Sequence, residues 1–368
     1  MRRKEMCRMD SVIISGGGTG GHIFPAVAIA DEIKRRYPNC NIHFVGALGR
    51  MEMEKVPAAG YAITGLPISG FQRKQLWKNW NLPFKIIRSL IISNQLLKKH
   101  KPQLVVGVGG YASAAITKRA QAKGIKTLLQ EQNGYAGMTN KILGKNADAI
   151  CVAYENMSRF FPVDKIHITG NPIRESILKM GAAKPEWYTK YGLSNDKPVL
   201  LVVGGSLGAR SINKAVESAL DILIENGVQV IWQTGKNYQH TYQKKAGDGV
   251  SIQNFIKEMH EVYSLADLIV SRAGALSISE LCYVGKPTIF VPSPNVAEDH
   301  QTKNALAMVD KKAAVLVSDS EVNNVLLEKV IGLINDNVRT TELAMHIKSL
   351  AKPNAVNDIV DIAENLNQ

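Results

Sequence analysis

The sequence predicts an α/β protein made of two Rossmann-like βα domains. Short β-branched runs alternate with amphipathic segments along the whole chain, which is the pattern of βα units around parallel sheets. Each half of the chain also opens with a strand that runs into a glycine-rich turn. The length of 368 residues suits two domains. With 45% apolar and 21% charged residues, the composition excludes a fibrous or disordered chain.

The first half is expected to begin with a strand over Ser11–Ser15. This strand leads into the glycine-rich turn at residues 16–21, and a helix is expected from Phe24 to Tyr37. The strand Leu104–Val108 repeats the arrangement, with glycines at 107–110 and a helix behind them. The other strands expected in this half are Asn41–Val45, Thr127–Gln130, Ala149–Val152 and Lys165–Thr169.

The pattern starts again after Gly170, which places the domain boundary near that residue. Pro198–Val203 is the expected strand, residues 204–208 are the glycine-rich turn, and Ala209–Glu225 is the helix. Further elements expected here are the strands Gln229–Gln233, Leu268–Val270 and Thr288–Phe290 and a helix over Ala275–Tyr283. Because no low-complexity linker separates the halves, we expect two domains facing across a cleft. Ligands are then expected outside the carboxyl ends of the strands.

The charge is distributed unevenly. Residues 1–170 hold 25 Lys and Arg against 10 Asp and Glu, whereas residues 171–368 hold 20 against 22. From Lys55 to Gln130 there are 13 Lys and Arg and no carboxylate. This excess indicates that the first half approaches an anionic partner, for which nucleic acid and an anionic membrane surface are the two candidates.

The segment Phe71–Lys101 concentrates this charge, with eight Lys and Arg, no acidic residue and two of the four tryptophans. Apolar side chains interleaved with cations are typical of a membrane-interface segment, here with Trp77, Trp80, Phe84 and Lys85 as its patch. The alternative is an amphipathic helix that packs Leu90, Ile91 and Leu97 into the core. No signature of nucleic-acid binding is present.

Several other functions are disfavoured by the sequence. No stretch approaches the roughly 18–20 apolar residues of a membrane span, and residues 1–10 lead into no signal-peptide core. We therefore expect a cytoplasmic protein. The four cysteines contain no CxxC and are expected to be reduced and buried, without a zinc site. Residues 16–21 match GxGxxG, but Val45-Gly46-Ala47 lacks the acidic residue of a dinucleotide site, which disfavours a dehydrogenase.

Four polar residues near the turns are candidates for chemistry. His22 follows the first glycine turn and is either a general base or an ordinary residue at a helix start. Glu280 either binds both hydroxyls of a ribose or is an ordinary helix residue. The amides of Gln301 and Asn304 suit uncharged sugar hydroxyls. The glycine turns themselves allow backbone N–H groups to approach an anion at a helix start.

Taken together, seven motifs resemble one family, in the same order along the chain. They are GGGTGGHIFPA (16–26), GVGGYASAA (107–115), EQNGYAGMTNK (131–141), GNPIR (170–174), GGSLGARSIN (204–213), SRAGALSISE (271–280) and HQTKNA (300–305). The chain from Asp10 onward resembles the MurG family of peptidoglycan N-acetylglucosaminyltransferases, which belong to the GT-B glycosyltransferases. The first ten residues lie outside the resemblance.

The resemblance implies an inverting transfer of N-acetylglucosamine (GlcNAc) from UDP-GlcNAc to the 4-hydroxyl of the muramyl sugar (MurNAc) in lipid I, which is undecaprenyl-pyrophosphoryl-MurNAc-pentapeptide. The product is lipid II, and the enzyme is implied to be peripheral at the cytoplasmic face of the cell membrane. It implies no cofactor or metal and no nucleic acid, and other cell-wall synthesis proteins as further partners. Residues 1–170, completed by 351–368, are implied to take the acceptor, and residues 171–350 are implied to bind UDP-GlcNAc.

The resemblance also assigns site residues. It implies that Glu280 binds the ribose, that the Ile256 backbone binds uracil, and that His22 is the catalytic base. The remaining residues implied to bind UDP-GlcNAc are Thr19, Gly20, Gly21, Asn133, Arg174, Ser206, Ala275, Leu276, Ser277 and Gln301. Tyr111 is placed on the acceptor side.

The chain departs from the family pattern at two positions. Gln130 replaces the usual His before the EQN tripeptide, and Leu207 replaces a Gln in the third glycine turn. Two rival functions stay open at this stage: a GT-B transferase with another lipid acceptor, such as a diacylglycerol, and a basic nucleic-acid-binding protein.

Overall fold

The structure is a computed structural model that describes residues 9–70, 77, 80–238, 240–296 and 299–368. It divides into two compact units. One unit contains the chain up to Ile173 together with Pro353–Gln368, and the other is Arg174–Lys352. None of the helices formed by the described residues combines the length and apolar character that a membrane span requires.

The strands and helices alternate along both units. The strands are β1 (Ser11–Gly16), β2 (Asn41–Ala47), β3 (Ala62–Leu66), β4 (Leu104–Gly109), β5 (Lys126–Glu131), β6 (Ala149–Val152), β7 (Ile166–Ile168), β8 (Val199–Val203), β9 (Gln229–Gln233), β10 (Val250–Gln253), β11 (Leu268–Ser271), β12 (Thr288–Phe290) and β13 (Val315–Leu316). The helices are α1 (Gly20–Arg36), α2 (Glu52–Ala58), α3 (Leu82–His100), α4 (Tyr111–Gln121), α5 (Met138–Gly144), α6 (Glu175–Leu178), α7 (Pro185–Lys190), α8 (Arg210–Glu225), α9 (Met259–Leu265), α10 (Ala275–Val284), α11 (His300–Val309), α12 (Val322–Ile334), α13 (Asn337–Ser349) and α14 (Ala355–Leu366).

The first unit is a parallel sheet in the order β3-β2-β1-β4-β5-β6-β7. Its central strand β1 is buried along its whole length and pairs with β2 on one side and β4 on the other. The strand order reverses between β1 and β4, and such a switch point opens a crevice at the carboxyl ends of the strands. The first and second glycine turns both leave the sheet at this point.

The second unit repeats this design in the order β10-β9-β8-β11-β12-β13, again entirely parallel. Its switch point lies between β8 and β11, so the third glycine turn and the loop before α10 emerge side by side. Helices α8 and α12 pack on the sheet and bury Ile212, Val216 and Leu326 with the completely buried Trp232. The predicted α/β class with two parallel-sheet domains is therefore confirmed.

The C-terminal helix α14 is part of the first unit. It packs against α1, where Arg36 donates hydrogen bonds to the carboxylates of Glu32, Asp361 and Glu364. The Arg36 side chain is only 19% exposed. The apolar face of α14 contributes Ile359, Val360 and other buried side chains to the core of that unit. Helix α14 thus packs beside α1 and completes the core of the first unit.

Two histidines stack on each other next to strands β2 and β3 of the first sheet. His43 on β2 lies with Nε2 2.8 Å from Thr64 Oγ1, and its ring stacks on His100 with the ring centroids 4.2 Å apart. Burial, then the neighbouring His100 and Lys99 charges, lowers the pKa of His43 to about 4. His43 is therefore neutral in the folded protein at neutral pH.

Two local predictions were wrong. Helix α1 begins at Gly20 rather than Phe24: the helix continues through Pro25 in its interior, which leaves one carbonyl, that of Gly21, without its helical N–H donor. Ile91 does not pack into the core: it is 55% exposed, whereas Leu97 is buried and Leu90 is partly buried against the same cluster. Of the cysteines, Cys40, Cys151 and Cys282 are buried thiols, and Cys7 lies outside the described residues.

Candidate active site

The first two glycine turns pack directly against each other at the switch point of the first sheet. A Cβ atom at Gly110 would lie 2.5 Å from Gly17 O, and one at Gly109 would lie 2.7 Å from Cδ2 of the His22 ring. Both glycines also have positive φ angles, +87° and +104°. Only glycine fits at these two positions, so the turns hold their backbones in contact.

His22 lies in the first turn of α1, between the two glycine turns. Its Nδ1 is 3.0 Å from Gly17 O and 3.3 Å from Thr19 Oγ1. A carbonyl oxygen can only accept, so the bond to Gly17 places the proton on Nδ1. The neutral ring then carries its lone pair on Nε2. Thr19 is the N-cap of the same helix and Gly20 and Gly21 are its first residues; Thr19 and Gly21 are exposed and Gly20 is half-buried.

The carboxylate of Glu52, which no sequence motif indicated, lies against the first glycine turn. Glu52, in the first turn of α2, is completely buried, and it accepts hydrogen bonds from Gly18 N at 2.9 Å and Ala47 N at 3.0 Å. A Cβ at Gly17 would lie 2.1 Å from Glu52 Oε1, and one at Gly46 would lie 2.5 Å from Glu52 Cγ. The carboxylate therefore fills space that these glycines leave open. No sequence motif singled it out.

The loop after β5 is shaped by a second buried carboxylate, Glu131. It accepts hydrogen bonds from Asn133 N at 3.1 Å, Gly137 N at 3.0 Å and Asn140 Nδ2 at 2.9 Å. Gln130, which replaces the histidine usual in the family, donates to Asn171 Oδ1 at 2.8 Å. These bonds fix the loop that carries Asn133, the residue implied to hold the sugar. The polar end of an otherwise apolar strand could have signalled Glu131.

In the second unit, the third glycine turn is joined to Ile256 by one buried amide. Gln233, at the end of β9, donates to Gly205 O at 3.2 Å and accepts from Ile256 N at 2.9 Å. Ser206 and Leu207 on the turn are exposed. A uracil contact through the Ile256 N–H would have to displace the Gln233 side chain from that N–H. Gln233 was not among the residues predicted from the sequence.

Helix α10 carries a tightly paired carboxylate in its second turn. Glu280 is only 6% exposed, and Arg174 binds it in a bidentate manner, with Nε–Oε1 and Nη2–Oε2 distances of 2.6 Å. Burial opposes the charge of Arg174, but the hydrogen bonds and charge of Glu280 outweigh it, so the pKa of Arg174 is raised. Burial, followed by the Glu280 charge, also raises the pKa of the neighbouring Tyr263.

The first residues of α10 offer backbone donors beside this pair. Ala275, Leu276 and Ser277 occupy the first turn, which contains no acidic residue, after Gly274 as the N-cap. The N–H groups at a helix start have no partner within the helix and carry the positive end of its dipole. This turn can therefore bind an anionic group.

The loop before α10 and the loop after β12 are fixed by other polar side chains. Arg272 donates to Val291 O and Pro292 O at 3.0 Å each. Gln301 on α11 accepts from Ser293 N at 2.9 Å, and the buried Asn304 lies with Nδ2 3.5 Å from Ala273 O. Gln301 thus braces the loop after β12, and Asn304 lies against the loop before α10.

The patch predicted for the membrane is exposed in the first unit. Trp77, Trp80 and Phe84 are 73%, 75% and 70% exposed, and Lys85 Nζ donates to Ser69 Oγ at 3.3 Å. Residues 71–76 and 78–79 of the predicted segment lie outside the described residues. Tyr111, 55% exposed at the start of α4, lies against Gly70. Large apolar side chains held in water are typical of a binding surface.

Comparison with known proteins gives the class of the fold. The glycosyltransferase family 28 N-terminal domain matches residues 12–152, and the family 28 C-terminal domain matches residues 199–365. The crystal structure of MurG from Acinetobacter baumannii superposes with a TM-score of 0.79 at 30% identity, covering 97% of this chain and 99% of that one. The fold is thus that of a GT-B glycosyltransferase.

Curated relatives define the family within this class. The UDP-N-acetylglucosamine–N-acetylmuramyl-(pentapeptide) pyrophosphoryl-undecaprenol N-acetylglucosamine transferase of Porphyromonas gingivalis is 52% identical over 98% of this chain and 97% of its own. The transferase of the same name from Bacteroides thetaiotaomicron is 50% identical over 96% and 98%. The chain belongs to the MurG family of N-acetylglucosaminyltransferases.

Proposed function

We propose that this chain transfers GlcNAc from UDP-GlcNAc to the 4-hydroxyl of MurNAc in lipid I, with inversion, and so produces lipid II. The activity of relatives at about 50% identity over nearly the full chain supports this proposal. The structural observation that carries it is the Arg174–Glu280 pair beside the start of α10, at the switch point of the second sheet. This geometry suits a nucleoside diphosphate.

The lone pairs of Glu280 explain how one carboxylate serves both Arg174 and a ribose. Each carboxylate oxygen offers two lone pairs, about four sites in all. Arg174 occupies one site on each oxygen. The Tyr263 hydroxyl donates to the same carboxylate, so about one site is left to accept from the ribose hydroxyls. Arg174 thus orients Glu280 toward the ribose of UDP-GlcNAc. Gln301 and Asn133 are proposed to hold the GlcNAc.

The diphosphate is proposed to lie at the first turn of α10 and near Ser206. The N–H groups of Ala275, Leu276 and Ser277 point along the helix axis toward an anion at that end. Negative charge grows on the diphosphate as it leaves, so these donors stabilise the transition state more than the ground state. With a leucine at position 207, Ser206 and backbone amides serve this side of the site.

The reaction is proposed to be a single displacement with His22 as the base. The 4-hydroxyl oxygen of the acceptor forms a bond to the anomeric carbon while the bond from that carbon to the diphosphate breaks. The bonding electron pair leaves with UDP, and the hydroxyl proton moves to Nε2 of His22. With the proton on Nδ1, held by Gly17 O at 3.0 Å, Nε2 is the basic nitrogen of the ring.

The direct test is to incubate the protein with radiolabelled UDP-GlcNAc and a lipid I analogue. Label should appear in the lipid product, and the anomeric configuration, read by NMR, should be inverted. Transfer to diacylglycerol but not to the lipid I analogue would favour the rival acceptor. Failure to bind UDP together with salt-sensitive binding to DNA or RNA would contradict the enzymatic proposal altogether.

The patch of Trp77, Trp80, Phe84 and Lys85 is proposed to bind the cytoplasmic membrane surface. On α3 the exposed apolar residues continue as Ile87 and Ile91, at 56% and 55% exposure, among basic residues. Helix α3 contains no acidic residue at all. Each nearby Lys or Arg contributes about 1 kcal/mol of attraction to anionic lipid, and salt screens it.

Vesicle binding tests this surface. The double variant Trp80→Ser/Phe84→Ser should lose affinity for anionic vesicles, while UDP-GlcNAc affinity stays the same. A matched control is Val338→Ser/Met345→Ser, which removes two apolar side chains of 72% and 59% exposure from α13. Equal binding of the protein to neutral and anionic vesicles would contradict the electrostatic part of the proposal.

A further inference from the structure

The Gly17–Gly18 peptide group connects two side chains that are far apart in sequence. Its N–H, which belongs to Gly18, donates to Glu52 Oε2 at 2.9 Å. Its C=O, which belongs to Gly17, accepts from His22 Nδ1 at 3.0 Å. A single rigid amide therefore lies between a buried carboxylate and the imidazole.

From this chain of hydrogen bonds we infer that Glu52 is a positioning residue for His22, acting through the Gly17–Gly18 peptide. The inference rests on the proposed function, in which His22 takes the acceptor proton. Hydrogen bonds in series polarise one another, so a carboxylate on the N–H makes the carbonyl a better acceptor for the imidazole proton. The imidazolium that forms in the reaction is stabilised in the same way. The arrangement resembles a base oriented by an acidic third group, with a peptide inserted between them.

The surroundings of the carboxylate favour this role over simple packing. Glu52 is completely buried, and both of the hydrogen bonds that it accepts come from backbone N–H groups, those of Gly18 and Ala47. Keeping an ionised group away from water is costly unless its oxygens are satisfied. The glycines at 17 and 46 leave the space that the carboxylate fills, since a Cβ at either would collide with Glu52. The first glycine turn thus packs closely against the Glu52 carboxylate and donates a hydrogen bond to it.

The peptide is also held from its other side. The backbone of Gly110 lies so close that a Cβ there would be 2.5 Å from Gly17 O and 3.2 Å from Gly17 C. The peptide therefore cannot rotate to follow a misplaced imidazole. This rigidity fixes both the tautomer and the ring orientation of His22.

The variant Glu52→Gln tests the inference because it keeps the size of the side chain. A glutamine amide has one acceptor oxygen, so its NH₂ group must face one of the two N–H donors. We expect kcat to fall about tenfold, which is less than the roughly 10²–10⁴-fold loss for removing the base itself. KM for UDP-GlcNAc should change less than about twofold. The matched control is Glu54→Gln on the same helix, whose side chain is 79% exposed, and it should leave kcat unchanged.

A double-mutant cycle separates positioning from a general structural effect. If Glu52 acts through His22, Glu52→Gln should lower kcat less than about twofold when added to His22→Ala. Equal losses in the two backgrounds would overturn the inference. So would normal kcat in a folded Glu52→Gln protein, or normal turnover of His22→Ala itself.

The hydrogen-bond chain can also be tested in the unmodified protein, whether or not Glu52→Gln folds. In ¹⁵N-histidine-labelled protein, the signals that His22→Ala removes should show the tautomer protonated at Nδ1. A tautomer protonated at Nε2 would overturn the inference. This measurement needs no turnover, so it distinguishes a failure here from a failure of the proposed reaction.

Discussion

Replacing Glu280 by Gln isolates the contribution of its charge to donor binding. The substitution keeps the shape of the side chain but leaves one acceptor oxygen where the carboxylate has two. In the folded protein that oxygen can satisfy either the Arg174 guanidinium or a ribose hydroxyl well, but not all partners together. We therefore expect UDP and UDP-GlcNAc to bind more weakly while the fold is retained.

The size of the effect follows from the bonds involved. A hydrogen bond to a charged group contributes about 1.5–3 kcal/mol. At about 1.4 kcal/mol per tenfold change, loss of that contribution weakens UDP by roughly 10- to 150-fold. The stability cost should be smaller than the 3–5 kcal/mol of breaking a fully buried pair, since the Arg174 side chain is 39% exposed and water can solvate it.

Isothermal titration calorimetry with UDP measures the loss directly. The matched control is Glu261→Gln, because Glu261 is another buried carboxylate of the second unit, 8% exposed and bonded to Lys190 and Tyr191. It removes a buried charge without touching the proposed ribose site, so UDP affinity should be unchanged. Unaltered UDP affinity in a folded Glu280→Gln protein would refute the assignment of Glu280 to the ribose.

Two further predictions concern the first unit. Arg36→Met should lower the free energy of unfolding by about 1–3 kcal/mol in urea titrations, since it removes the ion pairs that join α1 to α14. Arg35→Met should cost less, because the Arg35 side chain is 68% exposed; equal losses would contradict this. Between about pH 6.5 and 4 the unfolded chain binds more protons than the folded one, because the pKa of His43 is lowered to about 4. Its contribution is therefore complete above about pH 6.5 and falls by up to about 1.4 kcal/mol per pH unit as the solution is acidified. His43→Gln should flatten that dependence, as urea titrations across this range would show; an unchanged slope in His43→Gln would exclude His43 as its source.

The strands in the middle of each sheet could be predicted because they are buried on both faces. β1 and β8 are runs of β-branched and aliphatic residues, and their ends were found to within one residue. The missed strands lie near or at the edges of the sheets. β3 is half-exposed and contains Gly65, and β13 is only two residues long, so neither has an apolar run that stands out.

The candidate site was predictable as a set of residues but not as a set of contacts. Arg174 and Glu280 were both singled out, yet their pairing joins residues 106 positions apart, which no local pattern encodes. Glu52 was missed because its partners are backbone N–H groups, which have no side-chain signature. Ile91 was misplaced for a different reason: Leu90 and Leu97 lie on one face of α3, and Ile91 projects about 100° from Leu90, on the side away from that cluster.

The return of the last helix to the first unit sets the order in which the chain can finish folding. Arg36 and its partner Asp361 are 325 positions apart. At a synthesis rate of about 5–20 residues per second, Arg36 waits roughly 15–65 s for that partner to be made. Residues 174–352, which form the second unit, are synthesised before α14. The first unit is therefore made first but is the last to complete its core. A chain that ends near residue 352 contains the whole second unit, whereas its first unit lacks α14.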